Sequence, residues 1–257
     1  GAVLLFGFLV VVALALGGMA LLTRREATPG ASATATPILA RATAIPSPTP
    51  TAVPTPTIAP PPAMAELRWR ALRAAVIIFT PVEGQKDEYS TGSGSLLTPA
   101  GYILTNFHVI GDVDSGQYYN QRGLTFVGLN WDDPEDTPNT FYQAEIVQAD
   151  QDLDLAILHV VATQKGDDLP TGLEFPTVPV GDSDTVSIGD ELVAIGFPGL
   201  GGETVTLTKG TVSGFLTDQA GRPRGWIKTD AEINPGNSGG MAINERGELI
   251  GVPTIVV

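Results

Sequence analysis

Residues 225–257 read GWIKTDAEINPGNSGGMAINERGELIGVPTIVV, and their pattern of apolar runs and turns indicates the fold class. It holds three β-rich runs, at 225–230, 241–244 and 248–257, with residues that favour turns between them. No long helical pattern separates the runs, which argues against an α/β fold. The stretch therefore predicts short strands joined by turns.

Runs of the same kind continue upstream as far as residue 75. They lie at 75–80, 94–98, 102–110, 125–130, 144–150, 155–162, 191–197 and 204–215. Many short strands at close spacing are typical of β-barrels and β-sandwiches. A short amphipathic helix at 64–75 precedes them. We therefore expect one all-β domain over residues 64–257.

Residues 1–23 form an apolar segment at the start of the chain. The first 22 of them carry no charge, and about 20 apolar residues are enough to cross a bilayer as a helix. A cleaved signal peptide is the alternative, but the run exceeds the usual apolar core of a signal peptide and has no clear cleavage site. We therefore predict a single-pass transmembrane anchor over 1–23.

A stretch rich in Pro, Thr and Ala follows at residues 24–63. Such a composition cannot bury a core and favours extended conformations, so we predict a disordered linker. Arg24 and Arg25 alone would favour a cytoplasmic position for the domain that follows. The linker instead suits a domain held away from the outside of a membrane, where it could carry O-glycans. We therefore predict an extracytoplasmic domain.

Charge and composition exclude several classes of protein. The chain has 14 basic and 28 acidic residues, a net charge of -14, so nucleic-acid binding is not expected. The absence of cysteine excludes disulfides and thiol nucleophiles. Two histidines without an H-E-x-x-H motif make a poor zinc site, so we predict neither a metal nor another cofactor. The acidic stretch within 112–142 is interpreted as a surface loop, with a Ca²⁺ site as the alternative.

Residues 234–240, Asn-Pro-Gly-Asn-Ser-Gly-Gly, offer a nucleophile in Ser238. Glycines beside a serine allow a tight backbone that points N–H groups at one spot and lets a substrate come close. Alone, the segment also fits the G-x-S-x-G pattern of α/β-hydrolases, whose histidine follows the serine. His108 and His159 both precede Ser238, so that alternative fails. The order His, Asp, Ser is the one used by serine hydrolases built from two β-barrels.

The two histidines differ in their surroundings. His108 lies at the end of the predicted strand 102–110, where a rigid backbone would hold a general base. His159 lies inside the run 155–162 and is interpreted as a surface residue of a strand. We therefore predict His108 as the base.

Two carboxylates, Asp152 and Asp154, are candidates for the acid of the triad. The acid must be buried beside the histidine to hold its tautomer. Asp154 leads directly into an apolar run, whereas Asp152 is better placed to cap the turn. We therefore predict a catalytic triad of His108, Asp154 and Ser238.

Four sequence blocks occur in an order that resembles the signature of HtrA/Deg-type trypsin-like serine proteases. They are TGSGS (91–95), TNFHVI (105–110), DLDLAIL (152–158) and TDAEINPGNSGG (229–240). The resemblance covers about residues 66–257 and implies a double six-stranded β-barrel of chymotrypsin type, with its site between the barrels. Ahead of this fold we expect the transmembrane helix and the Pro/Thr-rich linker.

The resemblance also implies an activity and the residues that perform it. It implies a serine endopeptidase that hydrolyses unfolded or extracytoplasmic polypeptides through an acyl-enzyme, without a cofactor. The backbone N–H groups of Gly236 and Ser238, with Asn237 between them, would form the oxyanion hole. Relatives of this kind are often homotrimers, so a homotrimer is expected here, with the membrane as a further partner through the N-terminal helix.

Two departures from the family pattern qualify this interpretation, and one acidic residue bears on specificity. Met241 stands where the family usually has Pro, and the last strands and helix of the second barrel would be expected beyond Val257. We therefore expect a C-terminally truncated domain, and the alternative function is a catalytically inactive protease-fold module for binding or stress sensing. Glu232, six residues before Ser238, is a candidate for the base of a specificity pocket that selects Lys or Arg, although the resemblance implies cleavage after small aliphatic residues.

Overall fold

The computed structural model describes residues 9–13, 64–199, 204–218 and 220–255. One α-helix, two 3₁₀ turns and fourteen strands make up this part of the chain. In order they are β1 (Leu9–Ala13), α1 (Met64–Ala74), β2 (Ala75–Pro81), β3 (Tyr89–Leu96), β4 (Tyr102–Thr105), a 3₁₀ turn (Phe107–Val109), β5 (Gly111–Asp112), β6 (Gln117–Tyr118), β7 (Leu124–Leu129), β8 (Thr140–Asp150), β9 (Leu155–Thr163), a 3₁₀ turn (Ser183–Thr185), β10 (Glu191–Gly196), β11 (Thr206–Leu216), β12 (Trp226–Thr229), β13 (Met241–Ile243) and β14 (Leu249–Ile255).

The first barrel is a closed ring of antiparallel strands in the order β2-β3-β4-β9-β8-β7. Its strands alternate between inward and outward side chains, as β9 shows with Ala156, Leu158 and Val160 buried and the residues between them partly exposed. Ile78 and Leu96 complete the same core from β2 and β3. Burial of these apolar side chains is the main force that closes the ring.

The second barrel has the strand order β1-β12-β11-β10-β13-β14 and is also closed. Its interior is formed by Leu192, Ala194, Ile227 and Ile250. An all-β fold of two antiparallel barrels, as in chymotrypsin-like proteins, is therefore confirmed.

The ring of the second barrel is completed by β1, which pairs antiparallel with both β12 and β14. Its sequence, LVVVA, contains three β-branched residues in a row, which favours a strand. The paired backbone also covers two strand edges that would otherwise be open.

The five residues of β1 are the only described part of the predicted transmembrane segment 1–23, and they form a strand where the sequence predicted a helix. Within the described residues, no helix is both long and apolar enough to cross a membrane. The predicted linker at 24–63 lies outside the described residues.

Helix α1 matches the helix predicted at 64–75 and ends where β2 begins to pair. It leads directly into the first barrel but is bonded to the second, because Arg68 donates to Glu191 of β10 at 3.2 Å. Leu67 also packs against the turn at Gly247, where a Cβ atom would lie 2.9 Å from the Leu67 side chain. The helix therefore helps to hold the two barrels together.

Candidate active site

His108 lies in the 3₁₀ turn that follows β4. Phe107 and Val109 on either side of it are buried, and they anchor the turn in the first barrel. The imidazole itself stays 33% exposed, so part of the ring contacts protein and part is accessible to solvent. A ring held in this way can exchange protons with a bound molecule.

Asp154 holds His108 through both of its carboxylate oxygens. Oδ1 accepts from the backbone N–H of His108 at 2.9 Å, and Oδ2 lies 2.8 Å from His108 Nδ1. A carboxylate can only accept, so in the neutral imidazole Nδ1 carries the proton and Nε2 keeps its lone pair. Asp154 has φ 51°, a left-handed conformation that Asp tolerates better than most residues.

Two buried polar residues hold Asp154 in turn. Thr254 on β14 donates its hydroxyl to Oδ2 at 3.1 Å, and Asn106 donates its side-chain amide to the Asp154 carbonyl at 2.7 Å. Asp154 is therefore held from both barrels: Asn106 of the first barrel contacts its backbone, and Thr254 of the second contacts its carboxylate. Sequence reasoning missed both residues: Asn106 stands out as an amide beside an apolar strand, but Thr254 has no local signal.

Asp152, the other candidate acid, points elsewhere. It is exposed and lines a surface cavity of about 300 Å³ together with Leu153 and Trp226. The structure therefore places the carboxylate of Asp154, not that of Asp152, against His108.

Ser238 lies in the loop between β12 and β13 and is only 6% exposed. The glycine after it fits against the strand that leads to His108, since a Cβ atom on Gly239 would lie 2.2 Å from Thr105 Oγ1. Gly239 also has φ 82°, so glycine is needed there for two reasons. Among the described residues, the Ser238 hydroxyl has no hydrogen-bond partner, His108 included. Such bonds are often long in unliganded enzymes and form when substrate binds.

The backbone ahead of Ser238 presents two unpaired N–H groups. Neither Gly236 nor Ser238 donates its N–H to another described residue, whereas Asn237 donates to the Asn234 carbonyl at 3.0 Å. The Pro235 carbonyl accepts from Gly199 N–H at 3.0 Å. Because a trans peptide points its N–H and C=O in opposite directions, the Gly236 N–H points away from Gly199. Both N–H groups are therefore available to donate to a bound molecule.

Glu232, the candidate specificity residue, is exposed. Its carboxylate accepts from the Asn234 side chain at 3.2 Å, and its carbonyl accepts from the Thr208 hydroxyl at 2.7 Å. These contacts attach the start of the Ser238 loop to β11.

His159 and the acidic stretch lie apart from this site. His159 stacks on Tyr102 at 4.4 Å between ring centres and approaches the Ala100 carbonyl at 3.2 Å. In the acidic stretch, Asn130 accepts from Asp133 N–H at 3.1 Å, so these side chains cap a turn. In the part of the chain that the structure describes, no group of three or more His, Asp or Glu is placed to hold a metal ion.

The amino-acid sequence is similar to a known protein family and to several of its members. A family model described as "Trypsin-like peptidase domain" matches residues 92–252. The chain is 33% identical over 191 residues to "Serine endoprotease DegS" of Salmonella typhimurium, a match that covers 72% of this chain and 47% of the relative. It is 34% identical over 168 residues to "Putative serine protease HhoA" of Synechocystis, with 64% and 36% covered. The chain thus spans about half or less of the length of these relatives.

Solved structures give the same picture. "HtrA-type protease AlgW with tripeptide" aligns with a TM-score of 0.55 at 33% identity, covering 74% of this chain and 54% of that one. "Crystal structure of the serine endoprotease from Yersinia pestis" aligns with a TM-score of 0.53 at 30% identity, covering 76% and 58%.

Proposed function

Because the chain belongs to the trypsin-like peptidase family, we propose that it is an HtrA-type serine endopeptidase that cleaves polypeptides by acyl transfer. The observation that carries this proposal is the pair of bonds from Asp154 to His108, which orient the imidazole and leave Nε2 free as a base. The unpaired N–H groups of Gly236 and Ser238 support it independently.

In the proposed reaction, the Ser238 hydroxyl attacks the scissile carbonyl while His108 Nε2 takes its proton. Asp154 stabilises the imidazolium that forms, and His108 then passes the proton to the leaving amine. Water hydrolyses the acyl-enzyme by the same steps. The N–H groups of Gly236 and Ser238, spaced by Asn237, stabilise the negative oxygen of each tetrahedral intermediate.

Labelling with a fluorophosphonate tests the proposal, because the reagent reacts with an activated serine. The wild type should be labelled and should degrade unfolded casein, and Ser238→Ala should do neither. Ser187→Ala, an exposed serine, is the matched control and should behave as wild type. A full chain that is neither labelled nor active would contradict the proposal.

The second candidate function is an inactive binding or stress-sensing module. The observation that favours it is the Ser238 hydroxyl, which has no hydrogen-bond partner among the described residues; a module that only binds has no need of the bond from Ser238 to His108, whereas the peptidase must form it when substrate binds. The two functions differ in a combined binding and labelling assay. An inactive module binds unfolded polypeptide and is not labelled, whereas the peptidase is labelled at Ser238 and excess peptide substrate slows that labelling by competition.

Unfolded or extracytoplasmic polypeptides are the proposed substrates, and the residue preference is open between two predictions. An acidic specificity pocket built on Glu232 predicts cleavage after Lys or Arg, whereas the family resemblance predicts cleavage after small aliphatic residues. Profiling with a peptide library decides between them. Loss of Lys and Arg cleavage in Glu232→Gln would support the acidic pocket, and efficient cleavage after Val or Ala in both proteins would reject it.

An extracytoplasmic location is proposed because several relatives are named periplasmic endoproteases. The membrane anchor over 1–23 stays a prediction, as does the homotrimer. Leu9–Ala13 cannot lie in a membrane-spanning helix and in β1 at the same time. Alkaline extraction of membranes tests the anchor, because an anchored chain stays in the pellet and a peripheral one is released. Sedimentation of the purified chain tests the trimer.

A further inference from the structure

Ser93 is a fully buried residue of β3 whose polar contacts lead out of its own barrel. Its hydroxyl donates to the Gly236 carbonyl at 2.7 Å and accepts from the Phe197 N–H at 2.8 Å. Its backbone N–H donates to the Ser238 carbonyl at 2.8 Å. Ser93 therefore holds two carbonyls of the nucleophile loop, one on each side of Asn237.

These bonds restrain the backbone that carries the two unpaired N–H groups. Each peptide unit is planar, so holding the Gly236 carbonyl also fixes the direction of the Asn237 N–H. With the Ser238 carbonyl held as well, the peptide between Asn237 and Ser238 has little freedom to rotate. The direction of the Ser238 N–H therefore depends on Ser93.

The same residue is tied to the histidine side of the site. The Ser93 carbonyl accepts from the Thr105 hydroxyl at 2.7 Å, and Thr105 is three residues before His108. Ser93 thus connects the strand that leads to His108 with the loop that carries Ser238.

Two nearby residues, Gly196 and Ser95, show that the structure leaves room for the Ser93 hydroxyl and uses it. A Cβ atom on Gly196 would lie 2.9 Å from Ser93 Oγ, so glycine leaves room for it. Ser95, two residues along the same strand, is also fully buried, but its hydroxyl has no partner among the described residues. A small residue is enough for packing at Ser95, whereas Ser93 uses its hydroxyl twice.

We propose that Ser93 is a positioning residue of the peptidase reaction: its hydroxyl fixes the Gly236–Asn237 peptide, and with the bond from its backbone N–H to the Ser238 carbonyl this aligns the Ser238 N–H for the oxyanion. This inference rests on the proposed peptidase function. It assigns the side chain of Ser93 an effect on the transition state, not on substrate binding.

Ser93→Ala and Ser95→Ala form a matched pair for the test, since each removes one buried hydroxyl from β3. We expect Ser93→Ala to lower kcat by about 10- to 100-fold and to leave KM within about twofold of the wild-type value. This decrease in kcat is smaller than the decrease of about 10²- to 10³-fold for a deleted oxyanion-hole donor, because Ser93 acts through the backbone. Its fluorophosphonate labelling rate, expressed per folded molecule from a thermal melt, should fall by a similar factor. Ser95→Ala should keep both rates within about twofold.

A second pair covers the case in which Ser93→Ala folds poorly. Ser93→Thr and Ser93→Val add the same volume, but only Thr keeps the hydroxyl, so Thr should be at least about 10-fold faster per folded molecule. If the wild type is active, three results would each overturn the positioning role alone. They are equal rates for Ser93→Thr and Ser93→Val, a Ser93→Ala variant with a raised KM and an unchanged kcat, and a Ser93→Ala variant as fast as Ser95→Ala. A wild type that neither cleaves nor labels would overturn the proposed function and this role with it.

Discussion

Thr254 donates its hydroxyl to Oδ2 of Asp154 at 3.1 Å, although the two residues are 100 positions apart in the chain. Oδ2 is also the oxygen that contacts His108 Nδ1. The bond from Thr254, which is buried, therefore limits how far the carboxylate can turn away from the imidazole.

Thr254→Val should lower kcat/KM by about 10-fold, because a hydrogen bond to a charged group contributes about 1.5–3 kcal/mol and part of it is retained by the other partners of Asp154. Thr254→Ser keeps the hydroxyl and should stay close to wild type. Steady-state kinetics on a peptide substrate measure both. A valine variant as active as the serine variant would show that the bond does not contribute.

Asp154→Asn should lower kcat by about 10⁴-fold, because an amide at this position favours the wrong imidazole tautomer. Asp152→Asn is the matched control: its carboxylate is exposed and faces the surface cavity, so activity should change by less than about twofold. Single-turnover kinetics with both variants measure the difference. The reverse ranking would assign the acid to Asp152.

Gly236→Ala should abolish most activity, because a Cβ atom there would lie 2.4 Å from the Phe197 carbonyl and the residue has φ 103°. The peptide would have to shift, and a misplaced oxyanion-hole donor reduces kcat by about 10²-fold or more.

Gly172→Ala is a control that distinguishes the effect of backbone strain from the effect of a displaced peptide. Gly172 also has a left-handed φ, 79°, but a Cβ atom there meets nothing within 4 Å. It should lose about 1–2 kcal/mol of stability without loss of kcat. Equal kcat in the two variants would argue against Gly236 as a donor.

The pKa of Glu191 is lowered from its ordinary 4.5, chiefly by the hydrogen bond from Lys209 and further by Arg68. A carboxyl with a lowered folded pKa contributes stability that is present above its unfolded pKa and is lost as the pH falls through the folded one. Glu191→Gln should therefore melt a few degrees below wild type at neutral pH, and the difference should vanish well below pH 4.5.

Glu174→Gln is the control for this titration, since Glu174 is exposed and has no ion pair among the described residues. Its melting temperature should follow that of the wild type at every pH. Thermal melts between pH 3 and 8 compare the three proteins, and a Glu191→Gln difference that persists at low pH would contradict the role of this ion pair.

The sequence predicted an all-β barrel or sandwich because turn residues separate short apolar runs from residue 75 onward, which is a local signal. The double barrel was implied only by the resemblance to HtrA/Deg-type proteases. It also indicated where Ser238 and His108 lie, since the glycines and the apolar strand mark them. The local pattern also favoured Asp154 over Asp152, because Asp154 leads directly into the apolar run of β9. The two bonds from its carboxylate to His108 depend on how β9 packs against the turn at His108, which the sequence pattern does not encode.

Other parts of the structure depend on contacts between distant segments. Thr254 and Ser93 are small polar residues in strands, and nothing in their neighbours distinguishes Ser93 from Ser95. The apolar run that contains β1 suits a membrane helix and a buried strand equally by composition, so its pairing with β12 and β14 could not be predicted.

The groups proposed for catalysis are divided between the barrels: His108 and Asp154 belong to the first and Ser238 to the second, which also supplies Thr254 to hold Asp154. The proposed hydrolysis would therefore require both barrels to be folded and docked, so peptidase activity would report on their association. A chain cut in the connection between Thr163 and Glu191 would leave β1 on the first fragment, so the second fragment would lack one strand of its barrel. Activity should then return only when the two fragments reassemble.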